Sequence, residues 1–218
     1  MEKAAKHKGA LYSYGHRLGA GILSFSPIEI GHLIIGIFIV LGVGLSIALQ
    51  IDFISERKVD IWFIFALTLT SIFILHELAH KIVAQKYGLW AEFRLSLIGS
   101  LITLLSILSP IKFIAPGIVM IEGEMDREKI GKTALAGPVT NIAISASFLA
   151  LAKHIANPFL FITLIIVGIS SSWIALLNLI PFNILDGAKI FWWNKKIWAV
   201  SFLTSALLTL YALTSFFF

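Results

Sequence analysis

The sequence predicts an all-α polytopic membrane protein with about five transmembrane helices. A small membrane-associated β or re-entrant region is expected between the second and third. Two observations carry this prediction. First, 58% of the 218 residues are hydrophobic and only 13% are charged, whereas a soluble domain is about 45–50% apolar and about 25% charged. A chain of this size still exposes much of its surface, so lipid must be the solvent for a large part of it. Second, the apolar residues fall into runs of about the 20 residues that a bilayer core requires.

The first run is 28–51, introduced by Pro27, and a polar loop follows at 52–60. The second begins at Ile61 and continues through a His-Glu-Leu-Ala-His pentad to about Tyr87, where Gly88 is a stop signal. The next stretch, 89–121, is apolar but interrupted by Arg94, Gly99, Pro110, Lys112, Pro116 and Gly117. Within it, 92–97 and 111–121 read as short strands or re-entrant backbone. Such backbone is tolerated at membrane depth only where protein or a wet cavity covers it. A charged loop, 122–132, precedes a third span at about 133–152 and a fourth at about 158–182. The stretch 183–196 carries Asp186 and the pair Trp192–Trp193, a composition suited to a membrane interface. The last span is about 197–218.

Charge placement orients these spans. With the N-terminus in the cytoplasm, 13 of the 17 lysines and arginines lie on the cytoplasmic side. Only Arg57, Lys58 and Lys153 lie opposite, and Lys112 falls in the re-entrant region. This bias predicts a cytoplasmic N-terminus and a segment 89–121 that enters and leaves on one side. The net charge of +5 is scattered, so it reads as topology information and no nucleic-acid partner is expected. The chain has no cysteine, which excludes disulfides and cysteine-ligated metals. The basic N-terminus is not followed by a short apolar stretch and a small-residue cleavage site, so no cleaved signal peptide is expected. One membrane-embedded domain over 1–218 is expected, with its core at about 61–187 and no room for a large soluble module.

The pentad His76–His80 is H-E-x-x-H inside a predicted helix. Positions i and i+4 share a face, so both imidazoles can reach one ion. Glu77 is one step round the helix, poorly placed as a ligand and well placed as a general base. In water the pattern can be a solvated polar stripe. Here it follows fifteen residues without a charge, 61–75, about 22 Å of helix. Ionisable groups deep in a bilayer cost roughly 2.5–3.5 kcal/mol each, so three in five positions need a binding role. Zinc with two histidines needs a third protein ligand and an open position. His7, His16, His32 and His154 are scattered. Asp186, just past the fourth span, lies on the side where the second span ends. Pro181 ends or kinks the helix and Gly187 permits a tight turn. From spacing alone Asp186 is either a ligand or part of an ordinary Asp-Gly turn in water.

Three motifs together resemble those of the site-2 protease family of intramembrane zinc metalloproteases. They are H-E-x-x-H at 76–80, G-P-x-x-N from Gly137 to Asn141, and N-x-x-P-x-x-x-x-D-G from Asn178 to Gly187. They follow the family's order over roughly half the chain. Asn183 stands where many members have proline. The resemblance implies a single zinc held by His76, His80 and Asp186, with Glu77 as the catalytic base. It implies that Asn178 and Asn141 line the site and contact substrate, although interhelical hydrogen bonding also accounts for asparagines in a bundle. It implies a three-helix core formed by spans two to four. The expected partners are the lipid bilayer and a membrane-protein substrate helix. Ser170, Ser171 and Ser172 are read either as a water path or as helix-packing residues. The rival activity is an intramembrane metal-ion or proton transporter, which predicts ligands spread through the bilayer and an internal repeat.

Overall fold

The computed structural model describes residues 23–50, 58–109, 112–182 and 185–217. The elements run α1 (Pro27–Gln50), α2 (Lys58–Lys86), β1 (Trp90–Leu95), α3 (Leu97–Ser106), β2 (Gly117–Glu122), α4 (Arg127–Ala152), α5 (Pro158–Asn178), α6 (Asp186–Trp193) and α7 (Lys195–Phe217). Helices α1, α2, α4, α5 and α7 are long and apolar enough to cross a membrane. The protein is therefore an all-α, multi-pass membrane protein with a two-stranded sheet between its second and third spans. His7, His16 and Asn183 lie outside the described residues.

Helices α2, α4 and α5 pack against one another and form the centre. Helix α1 lies on α2 and the sheet, and α7 closes the other flank on α5. Between lipid-immersed helices no hydrophobic force favours contact, so close approach and interhelical hydrogen bonds do that work. Gly44 shows the first: a Cβ there would lie 2.6 Å from Ala66 Cα. The serines show the second. Ser171 Oγ donates to the Asn141 carbonyl at 2.8 Å, Ser205 Oγ to the Ser172 carbonyl at 2.9 Å, and Ser145 Oγ to the Gly168 carbonyl at 2.9 Å. Ser170, Ser171 and Ser172 are all buried, which favours their packing role over a water path.

Several boundaries move from the sequence reading, each for a local reason. Helix α4 starts within the expected loop 122–132, because Asp126 caps it by accepting from Lys129 N–H at 2.7 Å. Helix α5 stops at Asn178, short of 182, since Pro181 disfavours helical backbone at the residue before it. Most of 183–196 becomes α6. Gly88, at φ +72°, ends α2. Its N–H donates to Gln85 at 2.9 Å and Leu89 N–H donates to Ala84 at 3.1 Å, the paired bonds of a Schellman stop.

The region 89–121 contains the largest correction. The strands are Trp90–Leu95 and Gly117–Glu122, paired antiparallel with Trp90 opposite Glu122 and Leu95 opposite Gly117. A helix, α3, separates them in the stretch between 92–97 and 111–121, for which no element was expected. At about 15 Å it is too short to cross a bilayer. It is apolar outside and polar inside: Leu97, Ile98 and Leu105 are exposed, whereas Thr103 and Ser106 are buried. Lys112 Nζ donates to the Ser106 and Ile107 carbonyls at 3.1 and 2.9 Å, satisfying a helix end that lipid would leave bare.

Helices α1 and α2 also cover one edge of the sheet. Phe93 N–H donates to Glu29 Oε1 at 2.9 Å, Leu95 N–H to His32 Nδ1 at 3.4 Å, and Gln85 Nε2 donates to the Ala91 carbonyl at 3.4 Å. These are alternate residues, so they are the backbone groups that turn away from β2. Glu29 is also ion-paired with Lys81, and both are buried to within 1% of full coverage. Removing one partner of such a pair leaves a buried charge, at a cost of about 3–5 kcal/mol. Lys81→Met alone should therefore lower stability in detergent by about that amount. Glu29→Gln with Lys81→Met keeps the acceptor for Phe93 N–H and should recover most of it. Thermal unfolding of the three proteins checks this, and equal loss in single and double variants would refute it.

Candidate metal centre

The 3.6-residue period of α2 stacks His76 and His80 on one face, with ring centroids 4.7 Å apart and edge-to-face. Asp186 comes from the other end of the fold. Helix α5 ends, Leu179 becomes fully buried, and the chain doubles back into α6. Gly187 makes this possible by closeness: a Cβ there would collide with the Leu179 carbonyl and lie 2.5 Å from the Ile180 oxygen. The sequence reading assigned Gly187 a tight turn, but the structure uses it for backbone approach within a helix. Trp198 Nε1 from α7 donates to the same Leu179 carbonyl at 2.7 Å and holds the fold-back in place. Asp186 thus opens α6, where the helix dipole favours a carboxylate.

The three side chains converge and are buried. His76 Nε2 and His80 Nε2 are 3.1 Å apart, and Asp186 Oδ2 lies 3.3 Å from the first and 3.0 Å from the second. Ligands at 2.0–2.1 Å from a tetrahedral ion are separated by about 3.3 Å, so the triangle has the size of one tetrahedral face. The hydrogen bonding behind it points the same way. His80 Nδ1 lies 2.7 Å from the Thr133 carbonyl, which can only accept, so Nδ1 carries the hydrogen. In the neutral ring, the Nε2 lone pair then faces the Asp186 carboxylate at 3.0 Å. Two acceptors at that distance need a positive charge between them. The residues therefore fit a metal ion.

Burial pushes the Asp186 carboxyl up, but the imidazoles of His80 and His76 outweigh it and hold the group well below the usual carboxylate range. Its second oxygen, Oδ1, lies 3.6 Å from Lys189 Nζ. That arrangement leaves one oxygen for a metal and the other for the lysine.

Helix α4 forms the wall behind the two histidines. Thr133, Gly137, Asn141 and Ser145 recur every four residues and are all buried. A Cβ on Gly137 would collide with His80 Nε2 and lie 2.6 Å from His76 Nε2, so this position has no room for a side chain. Asn141 places its amide nitrogen 3.1 Å from His76 Nδ1. Asn178 is half-buried in the last turn of α5 and donates to the Ile174 carbonyl at 3.0 Å. Among the described residues, no hydrogen bond joins Asn178 to the ligand cluster. Glu77 is half-buried, makes no hydrogen bond to a described residue, and feels the charges of His80, Asp186 and Lys189. His32 serves the β1 edge, and His154 is exposed beyond the far end of α4.

The roles of three contributors were not read from the sequence. The Thr133 carbonyl has no sequence signal, because every residue carries one. Lys189 is one turn beyond Asp186 on α6, and helix periodicity would have found it had 183–196 been read as helix. Gly137 was visible as part of a motif, but its clearance role required the packing.

The chain is 39% identical over 131 residues to a Methanocaldococcus jannaschii protein that carries the provisional name zinc metalloprotease MJ0611; the match covers 59% of this chain and 69% of that one. It is 32% identical over 128 residues to a Mycobacterium tuberculosis protein provisionally named zinc metalloprotease Rip3, covering 57% of this chain and 28% of that much longer relative. No family model matches the chain. No solved structure matches it.

Gly137→Ala tests the wall directly. The added methyl should displace both imidazoles and lower divalent-metal affinity at least tenfold, as measured by chelator competition on the detergent-solubilised protein. Wild-type affinity in this variant would contradict the close approach of α4.

Proposed function

The chain belongs to a zinc metalloprotease family, and from that premise we propose that it is of the site-2 type: an intramembrane endopeptidase that cleaves a peptide bond in or near a transmembrane segment of a membrane-protein substrate. The observation that carries this reading is the buried His76–His80–Asp186 triangle at the end of a membrane-spanning helix, with Glu77 beside it and uncommitted to any described residue. We propose one zinc per chain, held by those three residues.

Bound there, zinc supplies Lewis acidity, polarising the scissile carbonyl and making water nucleophilic at neutral pH. Glu77 takes the proton from the attacking water and passes it to the leaving amine. Asp186 and the two histidines fix the geometry, and Lys189 holds the carboxylate oxygen that faces away from the imidazoles. Asn178, whose amide oxygen is free of its own helix, is positioned to steady the developing oxyanion. We place the N-terminus and the site on the cytoplasmic side, from the charge asymmetry of the loops.

A substrate helix hides its carbonyls in its own hydrogen bonds and must unwind before attack. The sheet supports this step by β-addition. The edge of β1 is already covered by Glu29, His32 and Gln85. On β2, Val119 and Ile121 lie opposite Phe93 and Ala91, so their backbone groups face away from β1. Among the described residues, the β2 edge is thus the one to which an extended segment can pair. Against a transporter, the candidate ligands form a single cluster among the described residues rather than a series through the bilayer.

Glu77→Gln should keep zinc and lose about 10²–10⁴-fold in cleavage of a membrane-helix substrate. Full activity in that variant would falsify the role of Glu77. Val119→Pro removes an N–H from the open edge without breaking the β1–β2 ladder. It should lower kcat/KM for a helical substrate with zinc content unchanged; an unaltered rate would eliminate β2 as the docking edge.

A further inference from the structure

We infer that Asn141 is a positioning residue for His76 whose side-chain amide sets the imidazole tautomer, with its oxygen turned to Nδ1–H when metal is held. The inference rests on the zinc reading above and goes beyond it, since Asn141 was expected to contact substrate. The structure treats the two histidines differently. Behind His80 stands the Thr133 backbone carbonyl at 2.7 Å. A carbonyl only accepts, so that ring has one tautomer, with Nε2 free for metal. Behind His76 stands the Asn141 amide at 3.1 Å, which has a donor end and an acceptor end of nearly the same shape.

Each end of the amide selects a different state of the site. With the NH2 end toward Nδ1, the ring hydrogen must be on Nε2. There it faces Asp186 Oδ2 at 3.3 Å and donates to it, so His76 no longer offers a lone pair to the centre. With the oxygen toward Nδ1, the hydrogen moves to Nδ1 and the Nε2 lone pair faces the centre, as it does in His80. The three ligand atoms then present only electron pairs to one point. Asn141 is fully buried, and in the first arrangement its Oδ1 has no hydrogen-bond partner, which is costly. Turning the amide over gives that oxygen the Nδ1–H and moves the NH2 group to the place the oxygen left.

Asn141 is well held for this task. Ser171 Oγ donates to its backbone carbonyl at 2.8 Å, and Gly137, one turn before it, lets α4 come close enough for the amide to reach His76. Helix α4 therefore supplies the supporting groups for both rings: an obligate acceptor at Thr133 and a reversible one at Asn141. A metal-ligating histidine ordinarily donates its other N–H to an acceptor, and loss of that partner typically costs 10–100-fold in metal affinity or activity.

The test uses the full chain in detergent, with zinc affinity measured by chelator competition and the ligand field read from the visible absorption of the cobalt-substituted protein. Asn141→Leu, of similar bulk and without polar atoms, should weaken zinc by about 10–100-fold and change the cobalt spectrum. Asn141→Asp keeps an acceptor at the same place. It should hold zinc within about threefold of wild type with a wild-type-like cobalt spectrum, because a carboxylate behind a ligating histidine raises its basicity. Zinc affinity within twofold of wild type in Asn141→Leu, with cleavage lost, would assign the residue to substrate contact and overturn the proposal. Tenfold loss of zinc in Asn141→Asp would overturn it even where Asn141→Leu fails to fold. Wild-type zinc affinity in His76→Ala would instead overturn the zinc reading, and this proposal with it.

Discussion

Helix α4 passes so close to His76 and His80 that residue 137 has no room for a side chain. Much of the site depends on that approach. It puts the Thr133 carbonyl behind one imidazole and the Asn141 amide behind the other, and it turns both Nε2 atoms toward Asp186. A wider gap would free the rings to rotate, and the three converging side-chain atoms would no longer match one tetrahedral face. Glycine at 137 removes the obstacle, while the hydroxyls of Ser145 and Ser171 tie α4 to α5 on its other side.

Lipid as the solvent explains the distribution of polar groups. Leucines and isoleucines line the outside of α3 and α7, and threonine, serine and asparagine lie within. The buried hydroxyls of Ser145, Ser171 and Ser205 join helices, since the hydrophobic effect gives lipid-immersed helices no reason to associate. The Glu29–Lys81 pair belongs to the same logic. Two charges that could not face lipid singly are joined in the protein interior, and Glu29 has a further oxygen for the backbone of β1.

That second use gives the sheet a direction. One edge is covered by side chains from α1 and α2, and among the described residues the backbone groups of β2 that turn away from β1 face outward. The sheet packs on α1 and α2, and α2 also carries His76 and His80, so the strands and the histidine pair share one support.

The membrane class, the five spans and the i, i+4 histidine pair followed from the sequence, because apolar run length and helical period are properties of neighbouring residues. The strands were legible as a punctuated region, but the first lies two residues earlier than expected and the second begins six residues later. Helix α3 was not separated from them, because a short apolar run has no period that distinguishes helix from strand. Asp186 stood open between turn and ligand on spacing alone; a loop cannot show where its fold-back ends until Leu179 and Gly187 pack backbone to backbone. The clearance at Gly137, the carbonyl behind His80, the ambidextrous amide behind His76 and the covered edge of β1 were decided only by the tertiary structure. Each depends on a backbone group or a distance between helices far apart in sequence, and such groups carry no side-chain signature.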